Sequence, residues 1–277
     1  MNKPIEELTI MNDFLFSVVM RQEKYCKPLL ESILKVKIKR IEYIGEQESV
    51  QASASTAKSV RLDVFVEDDQ NTVYDIEVQT TNQHNLGKRS RYYQSMMDIR
   101  SLEKGEDYRA LKKSYIIFIC NFDPYRASRY VYTFVSQCEE EKNIDFHDEA
   151  TKIIVNTKGT RGNITEELKA LITYMDRGVV SNAYTEELHA EVESVKSDEK
   201  VRMSYMLLQE AYARERRGGM YEKNVMLIRR NWQTVSVPDM ARLFVISPDN
   251  CKSVIDVINA HPEWDDEQVA DEIYWDV

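Results

Sequence analysis

Cysteine is scarce and scattered: Cys26, Cys120, Cys138 and Cys251 stand far apart with no Cys-x-x-Cys pair. That excludes a disulfide framework and a zinc ribbon, and fits a reduced cytosolic chain. Long apolar runs are missing. No stretch reaches the ~18 residues that would cross a bilayer, so no membrane partner is expected. The opening MNKPIEELTI lacks the apolar core of a secretory signal, so a cytoplasmic location is expected. Glycine and proline number only 8 and 6 in 277 residues, and no Gly-x-Gly-x-x-Gly or P-loop occurs, so a nucleotide cofactor has no warrant. The four histidines (84, 147, 189 and 261) have no His-Glu-x-x-His spacing, and no Gly-x-Ser-x-Gly elbow supports a serine hydrolase.

Basic charge is also in deficit, with a net charge of −10. The deficit is concentrated at the end of the chain. From His261 to Val277 there are seven acids and no Lys or Arg; taking those seven from −10 leaves −3 for residues 1–260. The body is therefore close to neutral and can carry local basic patches, which govern phosphate contact more than the total does.

What is present reads as an α/β domain followed by helices. Phe14, Leu15, Val18 and Val19 give an apolar face to a helix from about Asp13 to Leu34, with Asp13 as its cap, and a strand follows around Ile38 to Ile44. QASAST (residues 51–56) is a short polar interruption. Val60, Leu62, Val64 and Val66 then alternate with Arg61, Asp63, Phe65 and Glu67. Beyond the polar turn at Asp68–Asn71, Tyr74, Ile76 and Val78 alternate with Asp75, Glu77 and Gln79. Two period-two runs about a short turn predict an antiparallel hairpin with one face on a core. A helix from about Leu86 to Glu103 precedes SYIIFICN (114–121), a continuous apolar run that predicts a central strand. RYVYTFVS (129–136) and KIIVNT (152–157) predict further strands. Asn163 to Glu166 opens a helix that Gly178 can close. From Tyr184 to about Arg230 the chain reads as long exposed helix broken at Gly218-Gly219. Two short helices starting near Ser236 and Ser247, resembling a helix-turn-helix, and a third acidic helix follow. The expected layout is a domain over 1–180, a helical linker over 181–232 and a small acidic helical segment over 233–277.

The hairpin carries the chemistry. Asp63 and Glu77 are equidistant from Gln70, so a turn centred there sets the two carboxylates opposite each other, with Gln79 on the same face. Like charges directly opposed across strands are destabilising, and a hard divalent ion such as Mg²⁺ is the natural neutraliser. The alternative is the wet face of an ordinary hairpin, with Arg61 neutralising Asp63. Downstream, Lys88, Arg89 and Arg91 form a basic run on the next helix, with Gln94 beside Arg91 on one face, set to reach phosphates or to present a solvated face.

RLDVF (61–65), YDIEVQ (74–79), KRSRYYQSMMD (88–98) and IFICNFDPY (117–125), in that order, resemble the PD-(D/E)XK nuclease family transposases, also called the recombination-promoting nuclease (Rpn) family. NDFLF (12–16), IIVNTKG (153–159) and ELKALITYM (167–175) extend the match over about Asn12 to Gly178. The resemblance implies a restriction-endonuclease-like mixed sheet flanked by helices, with a C-terminal all-helical extension. It implies Mg²⁺- or Mn²⁺-dependent cleavage of DNA in a mobile-element or recombination setting. It makes Asp63 and Glu77 metal ligands, Asp13 a third candidate ligand, and Gln79 the residue that orients water or phosphate where the superfamily usually has Lys. Arg89 and Tyr93 match the family's R-x-x-x-Y spacing. Uncharged Gln79 cannot supply the stabilisation that Lys⁺ gives an anionic transition state, so a catalytically weak DNA-binding or protein-interaction module is the other reading. Self-association would then run through the helical segment after residue 184.

Overall fold

In the computed structural model, residues 3–44, 63–273 and 275 are described. QASAST and the start of the first hairpin strand, Val60 to Leu62 with Arg61, lie outside them. The chain divides into two compact units, Lys3–Val201 and Arg202–Val277.

The first unit is built on a six-stranded mixed sheet, β1 (Ile41–Tyr43), β2 (Val64–Asp68), β3 (Val73–Gln79), β4 (Ser114–Cys120), β5 (Val131–Phe134) and β6 (Ala150–Asn156), in the order β1-β2-β3-β4-β6-β5. β2 and β3 pair antiparallel with Val64 opposite Ile76 and Val66 opposite Tyr74, the register set by a turn centred on Gln70. β3, β4 and β6 run parallel. A parallel neighbour requires a crossover, and crossover helices cover sheet faces. Helix α3 (Leu86–Ser101) is that crossover. Its Leu86, Tyr93, Met96 and Met97 form one core with Phe65, Val73, Ile116, Phe118, Cys120 and Ile154.

This corrects the one-faced hairpin. Val73, Asp75 and Glu77 share the face that α3 covers, and the alternate set, Tyr74, Ile76 and Val78, is buried too. Period two therefore marked a strand whose two buried faces differ in polarity, and Asp75 and Glu77 are 0% and 1% exposed.

The expected first helix is two, α1 (Asp13–Met20) and α2 (Glu23–Leu34), and α1 is capped by Asn12, whose side chain accepts from Leu15 N–H, not by Asp13. Thr165 caps α4 (Glu166–Arg177), which ends at Gly178 in the left-handed conformation (φ 71°), where a glycine carries no Cβ penalty. α5 (Ala183–Ser197) follows.

α6 (Glu199–Asn231) runs through Gly218-Gly219 without a break. In the second unit Val225 and Ile228 of α6 join Met240 of α7 (Val237–Phe244), Cys251 and Val254 of α8 (Pro248–Ala260) and Val269 of α9 (Asp266–Glu272) in one apolar core. Ser236 and Ser247 cap α7 and α8, each followed by proline in the first turn. No helix among the described residues is long and apolar enough to cross a membrane.

Candidate active site

The site forms where β2 begins and β3 ends. Asp63 and Glu77 face each other across the hairpin and lock reciprocally: Asp63 N–H donates to Glu77 Oε1 at 3.1 Å, and Val78 N–H donates to Asp63 Oδ2 at 3.4 Å. From above, α3 lowers Arg89 onto the pair. Its Nη2 meets Glu77 Oε2 at 2.9 Å, its Nη1 donates to Gln79 Oε1 at 2.7 Å, and its Nε donates to the Tyr93 hydroxyl at 2.8 Å. The i, i+4 spacing of Arg89 and Tyr93 makes the last contact possible. The guanidinium also lies 5.0 Å and 5.6 Å from the Tyr93 and Phe118 ring centroids, a cation–π setting that holds the fork in place.

Three carboxyls converge on this one cation. Asp75 is fully buried, and neither of its carboxyl oxygens has a hydrogen-bond partner. Burial, then the charge of Asp63, pushes the Asp75 carboxyl well above the usual range, with Arg89 opposing. Burial, then Asp75 and Asp63, raises Glu77 as well, against Arg89 and the Asp63 N–H. Burial also pushes the Cys120 thiol up to about 12, so it is no nucleophile.

A cleft of about 900 Å³ opens over the pair, and Asp13, Asp63, Glu77, Gln79 and Arg89 all line it. Asp13 is exposed at the start of α1. Lys88 and Arg91 are exposed on α3, whereas Gln94 turns inward and donates to Asp98 and Ser114. Four of the predicted residues thus share a cleft with Asp13, and Lys88, Arg91 and Gln94 do not line it. Sequence reasoning assigned no role to Asn121 and Lys158, which also line it, Lys158 pairing with Asp176 at 2.6 Å. Their signal was their place in IFICNFDPY and IIVNTKG, within two residues of the end of a strand that runs parallel to β3.

Among the described residues no group of three or more His, Cys, Asp or Glu is arranged to hold a metal ion. The donor chemistry still fits a hard divalent cation: the acidic side chains offer oxygen donors only, and the buried Asp75 oxygens have no hydrogen-bond partner.

No curated protein and no solved structure matches the chain. A family model does, over residues 10–229, which takes in the whole sheet, the cleft and most of α6. A mixed sheet with opposed acids at a hairpin mouth and that match lead to one assignment: the chain belongs to the PD-(D/E)XK nuclease family transposases.

Proposed function

We propose that this chain is a metal-dependent endodeoxyribonuclease acting in a cytoplasmic, mobile-element or recombination setting. The observation that carries the reading is the Asp63–Glu77 pair, opposed across a hairpin at the floor of a cleft that also holds Gln79 and Arg89. Asp63 and Glu77 would hold Mg²⁺ or Mn²⁺, with Asp13 as a further donor. The ion would polarise a phosphoryl oxygen and lower the pKa of a bound water. Gln79 orients the attacking water or the phosphate through its amide. Arg89, anchored by Tyr93, places a permanent positive charge beside Gln79 and makes good the charge that Gln79 lacks. Lys88 and Arg91, exposed on α3, offer phosphate contacts outside the cleft.

A second reading has an observation of its own. Arg89 already neutralises Glu77, so the fold also suits a DNA-binding module of little activity. Self-association through the helices after Tyr184 belongs to either reading, supported by Met203, Met206 and Leu207, each 58% exposed at i, i+3, i+4 on α6.

Plasmid nicking with Mg²⁺ or Mn²⁺ separates the two. Cutting by the wild type, lost in Asp63→Ala and Glu77→Gln with fold and DNA binding retained, supports the nuclease. DNA binding without cutting in either metal supports the module.

A further inference from the structure

β3, β4 and β6 are parallel, so their carboxyl ends lie along one edge of the sheet, and the loops leaving β4 and β6 rise from the cleft wall at Asn121 and Lys158. These two loops are cross-tied into one rigid body. Thr160 and Arg161 N–H both donate to Ser128 O at 2.8 Å, Tyr130 N–H donates to Arg161 O at 3.0 Å, and Asn156 Nδ2 donates to Arg129 O at 3.0 Å. The Asp123 carboxylate accepts from the N–H groups of Tyr125, Arg126 and Ser128 and from the Tyr132 hydroxyl. Arg126 and Ser128 are held at φ 55° and 57°, an unfavourable region for residues with a Cβ, of the kind that clusters at functional sites.

The body displays two kinds of group. Arg126, Arg129 and Arg161 are exposed, and among the described residues none is ion-paired, in a chain of net charge −10. Arg129 and Arg161 are bridge partners on adjacent backbones. Like charges placed side by side repel. Beside them lies an aromatic cluster. Tyr125 stands 5.0 Å from Tyr132, edge to face, and 5.3 Å from Phe134. Tyr125 and Phe134 are each 43% exposed, and the 2.7 Å bond from the Tyr132 hydroxyl to Asp123 fixes the ring on which Tyr125 rests.

We propose that this paired-loop body is the docking surface for a single-stranded or unpaired stretch of DNA leading into the cleft, with Arg126, Arg129 and Arg161 on its phosphates and Tyr125 and Phe134 stacking on its bases. Arginines alone would suit any polyanion. The rings specify unpaired bases, because bases inside a duplex are already stacked and offer no face, whereas single-strand binders pair a cationic track with aromatic platforms. The inference rests on the nuclease reading and names its substrate form.

The test is fluorescence anisotropy of the full chain in EDTA, where no cleavage occurs, with labelled oligo-dT, oligo-rU and a blunt duplex of about 20 nucleotides each. Oligo-dT is expected to bind tightest. Tyr125→Ala with Phe134→Ala should weaken oligo-dT by roughly tenfold and leave the duplex nearly unchanged. Changing the three arginines to Gln should flatten the log-affinity against log-salt slope for oligo-dT by roughly 2, at ~0.7 per phosphate contact. Tyr125→Trp, which keeps the ring should the alanine variant misfold, is expected to bind at least as tightly as the wild type. Equal binding of strand and duplex, preference for the RNA strand, or indifference to the ring substitutions overturns the proposal. Because no metal is present, that failure leaves plasmid nicking untouched. Conversely, a protein that binds oligo-dT as described but never nicks plasmid loses the nuclease reading alone.

Discussion

Arg89 reaches down from α3 to hold Glu77 at 2.9 Å while Glu77 is 1% exposed and Arg89 about one quarter exposed. Removing one member of a buried pair strands the other, at about 3–5 kcal/mol when both are fully buried. Arg89 is partly solvated, so Arg89→Met is expected to cost about 2 kcal/mol at pH 8, after discounting for screening. The loss should shrink at pH 4, near the ordinary carboxylate value and below the raised values of the buried acids, where the carboxyls beneath it take up protons instead. Urea titrations at the two pH values check this; a pH-independent loss would show that the pair is not what the guanidinium stabilises. Arg89→Lys should recover only part, since an ammonium cannot span Glu77, Gln79 and Tyr93 at once.

Asp75 gives the chain an unusual pH dependence. Its folded pKa lies above the unfolded value of about 3.9, so between the two the folded state binds more protons. Its contribution to stability is therefore favourable below about pH 4 and is lost as pH rises through the folded pKa. Asp75→Asn should raise the Tm at pH 8 and give no advantage near pH 4. Parallel melting curves for the two proteins across that range would contradict the assignment.

A divalent ion that binds the folded carboxyls stabilises by mass action, about 2.7 kcal/mol at 100 times its Kd. Mn²⁺ is expected to raise the Tm of the wild type, with the shift abolished by Asp63→Ala. Differential scanning fluorimetry reads it without any nuclease assay. A shift of equal size in both proteins would place the ion elsewhere.

Gly218 and Gly219 sit inside α6 with open space where a Cβ would stand. Each should gain about 1 kcal/mol on substitution by Ala, from helix propensity alone. The double variant is expected to show stronger helical circular dichroism and greater resistance to proteolysis between residues 210 and 225. Weaker helicity would mean that the pair is needed as a break after all.

Much of this was legible in the residues. The spacing of Asp63 and Glu77 about Gln70 fixed the β2–β3 register, because a short polar turn between two alternating runs leaves little freedom, and Gly178, Ser236 and Ser247 marked helix ends through their backbone chemistry, whereas the capping-box spacing of Asn163 and Glu166 put the start of α4 two residues early, the cap being Thr165. The burial of Asp75 and Glu77 was not legible. Alternation reports that two faces differ, but whether the polar one meets water depends on α3, a partner separated in sequence. Nor did a basic run on α3 reveal that Arg89 points inward and Gln94 binds Ser114 while Arg91 faces solvent, because side-chain direction is settled by what the helix lands on. The Gly218-Gly219 pair misled for the opposite reason: glycine weakens a helix by about 1 kcal/mol, and the flanking turns outweigh it.

The two tied loops share no strand with the hairpin that carries the acids. Gly159 passes so near Tyr130 that a Cβ would come within 2.6 Å of its Cα, so the crossing is fixed by backbone packing and backbone hydrogen bonds and does not depend on the side chains at the outer tips. Relatives could exchange Tyr125, Arg126 or Arg161 without moving a single acid, and an engineer could graft new tips in the same way. On the nuclease reading proposed above, choice of target and cutting chemistry would be separable parts of this architecture.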